Sequence, residues 1–353
     1  MNPDDLATII DSTKLKAFQK CPRAFFYEYI LHWTPDHSRV HLNFGEAWHS
    51  AMESLLSSLQ QHGSYEPGVE EAMKAFLKTY HRYFSVSEDG ANAPKDSKNA
   101  LQALAEYVLR YEENDKMFKV LYTEVAGRVP IDANRWIHFK IDAILQGPGG
   151  IVVMDHKTSG QMYDAWKHEF TLSVQIGTYI HLLNCIYDDN VYGAIINGAF
   201  FRKKGNDFLR VPLRYTSDLS LSWLTTVRTY LQIINDEYDL LTSCTESDDV
   251  MIAFPLNPQS CCAWFHLCPY HALCSSWANP LQHTDRGCPP GFIKHHWDPR
   301  EQEERAKFVF NGDVIVKKEI KDGAAESESD TGKDQSDVSS ESEQEEAPWS
   351  CDW

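Results

Sequence analysis

An acid and a lysine two residues apart close a short β-branched run in Gly150-Ile-Val-Val-Met-Asp-His-Lys-Thr-Ser159, and these two, Asp155 and Lys157, are the residues best suited to chemistry. Strand side chains alternate with period two, so the pair is expected to share one face, opposite Met154 and His156. A second acid, Asp142, lies upstream in Trp136-Ile-His-Phe-Lys-Ile-Asp-Ala-Ile-Leu145. There the same alternation predicts Lys140, Asp142 and Ile144 on one face, with Phe139, Ile141 and Ala143 on the other. Gln146-Gly-Pro-Gly-Gly150 is turn chemistry, so the two strands should form a hairpin. Two carboxylates on adjacent strands make a hard oxygen site for Mg²⁺ or Mn²⁺, and the neighbouring ammonium is suited to steady a hydroxide and a phosphate. That combination is the chemistry of phosphodiester hydrolysis. A bare D-x-K also serves as a surface ion pair on an edge hairpin, so the surrounding elements decide between the two.

Those elements read as helices and strands in alternating blocks. Ser12 reads as an N-cap ahead of Leu15 and Phe18, and Pro22 as the first turn of a helix carrying Phe25, Phe26, Tyr29 and Ile30. Lys14, Lys16, Lys20 and Arg23 form a basic strip there, suited to a phosphate backbone or simply to solvent. Trp48, Met52, Leu55, Leu56 and Leu59 recur at helical spacing, with His49 in the same inward stripe. Residues 66–84 and 96–113 read as two more helices within an insert of about residues 60–115. Lys119 to Val129 reads as the first strand, with Val120, Tyr122 and Glu124 on one face, and Glu124 is either a site residue or a strand-edge carboxylate. A helix from Glu169 to Tyr187 sets Gln175 and Tyr179 four apart on one face. Val191–Arg202 and Phe208–Leu213 continue the sheet through a basic turn whose Arg202, Lys203 and Lys204 suit either phosphates or solvent. A helix over 217–241 follows.

Four separated pieces of this pattern resemble the RecB-type branch of the PD-(D/E)XK nuclease superfamily. They are Ser12-x5-Phe18-x2-Cys21-Pro22, Phe44-Gly45-x3-His49, Asp142 with Asp155-x-Lys157, and Gln175-x3-Tyr179. The resemblance, spanning residues 12–274, implies an α/β fold: a restriction-endonuclease-like central mixed sheet from about 119 to 213 flanked by helices, with the N-terminal helices and a cysteine-rich segment packed as a cap. It implies His49, Asp142 and Asp155 as metal ligands and Lys157 as the residue that orients the nucleophile. Gln175 is implied to hold that lysine or a water, and Tyr179 to contact nucleic acid. Cys21, Cys261, Cys268 and Cys274 resemble the four cysteines that hold a [4Fe-4S] cluster in some members. The spacing here is C-x6-C-x5-C where the family commonly has C-x2-C-x5-C, and the alternatives are Zn²⁺, which His266 and His271 could serve, or free buried thiols.

The chain of 353 residues carries a net charge of −18, of which eleven acids against two bases from Lys321 onward account for half. Such a balance argues against a protein that coats nucleic acid by bulk positive charge, and leaves room for one that binds DNA through metal ions and a local basic strip. No apolar run reaches membrane-spanning length, and the polar start lacks a secretory signal, so a soluble, intracellular protein of bacterial or phage type is expected. The organisation expected is a nuclease domain over 1–290 with a cysteine cap at 255–280, an extension over 291–320, and a disordered acidic tail over 321–353 suited to docking a protein partner or competing with DNA. The function expected is metal-dependent DNA cleavage, as an exonuclease of repair, recombination or phage DNA processing. The alternative is a non-catalytic nucleic-acid-binding module stapled by its Fe-S or Zn site.

Overall fold

The computed structural model describes residues 8–36, 39–187, 190–263 and 266–318; the acidic tail and the side chain of His266 lie outside the described residues. Helix α1 (Ser12–Lys20) leads to a short turn of helix at Pro22–Phe25, then to α2 (Val40–His62), α3 (Val69–Tyr80) and α4 (Ser97–Asp115). Strands β1 (Lys119–Pro130), β2 (Trp136–Gly147) and β3 (Gly150–Ser159) form an antiparallel meander. Helix α5 (Val174–Tyr187) crosses over to β4 (Val191–Arg202), which lies parallel to β3, and β5 (Gly205–Arg214) returns antiparallel before α6 (Ser217–Thr242). Far downstream, β6 (Phe308–Phe310) pairs parallel with β1 and is itself capped by β7 (Ile315–Lys317). The mixed sheet therefore runs β7-β6-β1-β2-β3-β4-β5.

Helices cover both faces of the sheet, which is why Ile151–Met154 is apolar without interruption rather than alternating. One face packs α1, α5 and α6 around Phe18, Phe25, Ile176 and Leu224; the other packs α2, α3 and α4 around Phe44, Trp48, Phe76 and Leu104. Local chemistry sets the helix ends. Gly63, at φ 72°, terminates α2 with its N–H on the Leu59 carbonyl, while Asp96 and Thr216 cap α4 and α6 with their side chains. Helices α5 and α6 meet where Gly177 lies under Trp223: a Cβ at 177 would stand 2.1 Å from the indole, so only glycine admits this approach.

Several local expectations are corrected. The N-cap of α1 is Asp11, whose carboxylate accepts the Lys14 N–H, rather than Ser12. Helix α5 starts at Val174, after a 3-10 turn at Asp164–His168, not at Glu169. Lys14 and Arg23 are buried, so the basic strip is reduced to the exposed Lys16 and Lys20. Lys14 Nζ binds the Ile9 carbonyl, and Arg23 reaches across the molecule to the carbonyls of Phe254 (2.8 Å) and Met251 (3.1 Å). Strand β1 is bulged between Val120 and Tyr122, which sends those two side chains to opposite faces. Residues beyond Pro290, where the sequence pattern fades, supply β6 and β7.

Candidate active site

Strands β2 and β3 stay in register from the turn to Ala143 opposite Met154, and there the ladder ends. The next opposed positions are Asp142 and Asp155, so the two acids stand where the strands part. At the same level, the β1–β2 ladder skips the pair Glu124 and Asp142, and Glu124 takes φ 52°. A left-handed glutamate costs about 1–2 kcal/mol, which marks this stretch as held in place by its surroundings. The alternation along β2 slips with it. Phe139, Ile141 and Ile144 join one core and Ala143 and Leu145 the other, not the division that strict alternation gives.

Asp155 and Lys157 share a face as expected, with Nζ 2.6 Å from Oδ2. The carboxylate is buried, at 1% exposure of its side chain, while the lysine keeps 27%. Burial raises the Asp155 pKa above the ordinary range, and Asp142 adds to it, against the pull of Lys157. From α5, Gln175 Oε1 accepts from Lys157 Nζ at 3.0 Å, and Gln175 Nε2 donates to the Tyr179 hydroxyl at 2.7 Å. That hydroxyl in turn donates to the Lys140 carbonyl. Tyr179 is 3% exposed and its hydroxyl is consumed on both sides. It belongs to the wall that aims Gln175, and the expected contact of Tyr179 with nucleic acid does not fit.

Helix α2 supplies His49, whose Nδ1 lies 2.9 Å from Asp142 Oδ1. The other oxygen of Asp142 accepts the His156 backbone N–H at 2.8 Å. Burial alone would raise the Asp142 pKa, but His49, His156 and Lys157 outweigh it and hold the group well below the carboxylate range. For His49, burial lowers the pKa and Asp142 more than restores it. Beside them Lys140 Nζ lies 2.6 Å from Glu124 Oε2, and burial raises the Glu124 pKa. Glu124 thus borders the site as the partner of Lys140.

The sequence reading missed what lies on the other face of β3. There His156 is buried, and burial pushes its pKa down to about 3. Arg210 Nε donates to Asn197 Oδ1 at 3.0 Å, and a guanidinium can only donate. The Asn197 amide must therefore turn its NH₂ to His156 Nδ1, 2.8 Å away, which makes that nitrogen an acceptor and puts the ring proton on Nε2. Arg210 is itself clamped by Asp115 at the end of α4 and by the Tyr107 hydroxyl. The only sequence signal for this chain of contacts is polar residues within otherwise apolar strands.

Arg202, Lys203 and Lys204 sit at the β4–β5 hairpin, beyond the end of β3 that carries Lys157; Arg202 pairs with Asp207 at 3.1 Å. In the cap, Cys261 and Cys268 are joined by a backbone hydrogen bond of 2.8 Å, and the Asn257 side chain donates to the Lys20 carbonyl next to Cys21. Burial pushes the Cys274 thiol up to about 11, with the thiolates of Cys21, Cys268 and Cys261 adding to it against the opposite pull of Arg23. Cys274 thus lies within electrostatic reach of the other three thiols, whereas Cys262 is exposed.

Among the described residues no group of three His, Cys, Asp or Glu side chains is disposed as a finished ion cage. The donors at the acids nevertheless suit a hard divalent cation: two opposed buried carboxylates, with the Lys157 ammonium beside Asp155 Oδ2. Neutral His49, donating from Nδ1 to Asp142, would keep the lone pair of Nε2 for a ligand role.

No curated protein matches this chain. A solved structure titled "Crystal structure of SSO0001" is similar over 52% of this chain and 74% of its own, at 13% identity and a TM-score of 0.24, a likeness too loose to bear on the fold. A family model matches residues 12–275, about three quarters of the sequence, and spans both acids, the lysine and the four thiols. Its description is the PD-(D/E)XK nuclease superfamily, and to that superfamily the chain belongs.

Proposed function

We propose that this protein is a Mg²⁺- or Mn²⁺-dependent deoxyribonuclease that degrades DNA from strand ends, in a repair, recombination or phage-type DNA-processing role. The observation that carries the reading is the Lys157 ammonium held between Asp155 and Gln175 at the point where Asp142 and Asp155 face each other. His49, Asp142 and Asp155 would hold the ion. When bound, a divalent cation supplies positive charge to the phosphate oxygens and eases deprotonation of the attacking water. The chain's own part is to position and to balance charge. Gln175 keeps Lys157 pointed at the acids, and Lys157 orients the nucleophile and stabilises the charge that develops on the phosphate. The His156 N–H and His49 hold Asp142 deprotonated at neutral pH, ready to bind a cation without first losing a proton.

The end-directed reading rests on the combination of Gln175-x3-Tyr179 with the cysteine set Cys21, Cys261, Cys268 and Cys274. We place a [4Fe-4S] cluster on Cys21, Cys261, Cys268 and Cys274, with Zn²⁺ as the alternative occupant. It would staple the N-terminal helices to the C-terminal cap, alongside the Arg23 hydrogen bonds to residues 251 and 254. Digestion of end-labelled linear DNA beside covalently closed circular DNA, with Mg²⁺ or Mn²⁺, tests the first part. Loss of linear DNA with intact circles supports an exonuclease; cutting of both kinds makes it an endonuclease; cutting of neither refutes the reading. Anaerobically purified protein with about four irons per chain supports the cluster. One zinc per chain selects the alternative, and retention of full metal by Cys21→Ser removes Cys21 from the site.

A further inference from the structure

Strands β2 and β3 carry one three-residue pattern in mirror order, Lys140-Ile-Asp142 and Asp155-His-Lys157. Because the strands are antiparallel, each lysine stands two residues beyond the acid of its own strand, outside the β2–β3 ladder. The two lysines are also tied together. Tyr179 donates to the Lys140 carbonyl and receives from Gln175, whose oxygen accepts from Lys157 Nζ, so one run of hydrogen bonds joins the Lys157 ammonium to the Lys140 backbone. Their side chains are gripped from different directions: Lys157 by Gln175 of α5, Lys140 by Glu124 of β1 at 2.6 Å.

Burial lowers the Lys140 pKa and Glu124 more than restores it, with Asp142 and Glu53 adding to the rise, so the group is a cation within electrostatic reach of Asp142. Its side chain keeps 31% exposure, close to the 27% of Lys157, while the Glu124 side chain keeps 10%. The pair thus holds its carboxylate inside and its cation toward solvent, on a glutamate whose φ of 52° is itself costly. Charge at the acids points the same way. With His49 neutral, Asp142, Asp155 and Glu124 exceed Lys140 and Lys157 by one negative charge, and Glu53 is offset by Lys307, 2.6 Å away. A divalent ion turns that into one positive charge, which is what one phosphodiester neutralises. Without Lys140 the loaded centre would already be neutral and would keep no excess charge for the strand.

We infer that Lys140 is a second substrate-binding cation of the site, contacting a backbone phosphate next to the one that Lys157 faces. Glu124 holds Lys140 as Gln175 holds Lys157, and the two ammoniums flank the acids to receive successive phosphates of one strand. The inference rests on the nuclease reading of Asp142, Asp155 and Lys157.

A fluorescent DNA hairpin with a single-stranded arm, carrying a neutral methylphosphonate at one linkage at a time, tests it with the full chain. Affinity is measured in Ca²⁺ and again in EDTA, and the DNA is checked afterwards for intact strands. The proteins are wild type, Lys140→Met, Lys140→Arg, and Lys140→Met combined with Glu124→Gln, which leaves no buried carboxylate unpaired if the single variant unfolds. The expected result is one linkage whose neutralisation weakens wild-type binding about tenfold and leaves the methionine variants unchanged, with Lys140→Arg keeping most of the wild-type response. Equal losses in wild type and methionine variants at every linkage, or no DNA binding by the wild type, would overturn the contact and leave Lys140 as the structural partner of Glu124. Cleavage with Mg²⁺ or Mn²⁺ judges the nuclease reading separately. Cleavage without such a linkage refutes the contact alone, and such a linkage without cleavage refutes the nuclease reading while the contact stands.

Discussion

The two faces of strand β3 carry polarity of opposite kinds. Toward α5, Asp155 and Lys157 meet in a contact between a buried carboxylate and a lysine partly in solvent. Toward α4, His156, Asn197, Arg210, Asp115 and Tyr107 form a relay in which each contact fixes the orientation of the next. One residue separates the two arrangements. The difference teaches that the acid–lysine face keeps its charge within reach of solvent and of a ligand, while the opposite face closes its polar groups on one another to hold the strand still, with only His156 Nε2 of that relay left without a hydrogen-bond partner among the described residues.

The largest expected effect breaks the first face. Asp155→Ala or Lys157→Ala should lower cleavage about a thousandfold or more, with melting temperature little reduced, because the lost interactions matter chiefly as charge develops. Cleavage at the wild-type rate by either variant would dissolve the distinction between the faces.

Arg210→Ala should do the reverse. It strands Asp115 in a buried place and should cost about 3–5 kcal/mol of stability, read as a lower urea midpoint, with DNA cleavage per folded molecule largely kept. Asn197→Asp sharpens the comparison further. The new carboxylate still accepts from Arg210 but cannot donate to His156, so the ring proton should move from Nε2 to Nδ1, visible in the nitrogen spectrum of the imidazole. Because His156 also gives its N–H to Asp142, a several-fold drop in the cleavage rate should accompany the shift. An unchanged imidazole spectrum would remove Asn197 as the group that sets the tautomer.

The smallest effect concerns Lys95, on the loop entering α4, whose Nζ lies 5.6 Å from the centre of the Phe44 ring. Burial lowers its pKa from 10.5 to about 8, so between those values the unfolded chain binds more protons than the folded one. Stability should therefore rise with pH from about 8 to 9.5, below the range in which the buried tyrosines take over. Lys95→Met should flatten this rise; an equal rise in the variant would assign it to other groups.

Much of the first face was legible in the sequence because period-two and period-3.6 spacing converts directly into shared faces: Asp155 with Lys157, and Gln175 with Tyr179. The departures arise where tertiary structure overrides that period. The bulge after Val120, the left-handed Glu124 and the slip at Asp142 follow from strands parting, and no local pattern records a parting. Lys14 and Arg23 looked like a surface strip because charge is ordinarily solvated, yet the carbonyls that bury Arg23 lie more than two hundred residues away.

The pairing of β6 with β1 sets a timetable for the protein as it is made. Strand β1 is an open edge until residues 308–310 lie beside it, and the Glu124 carbonyl waits for the Lys307 N–H. Elongation at about 5–20 residues per second separates β1 from β6 by roughly 10–40 seconds, during which the edge beside the acids is available to other strands. The site of a nuclease is thus left unfinished through most of its own synthesis, and a chain broken off before residue 307 would present an aggregation-prone edge in place of a closed sheet.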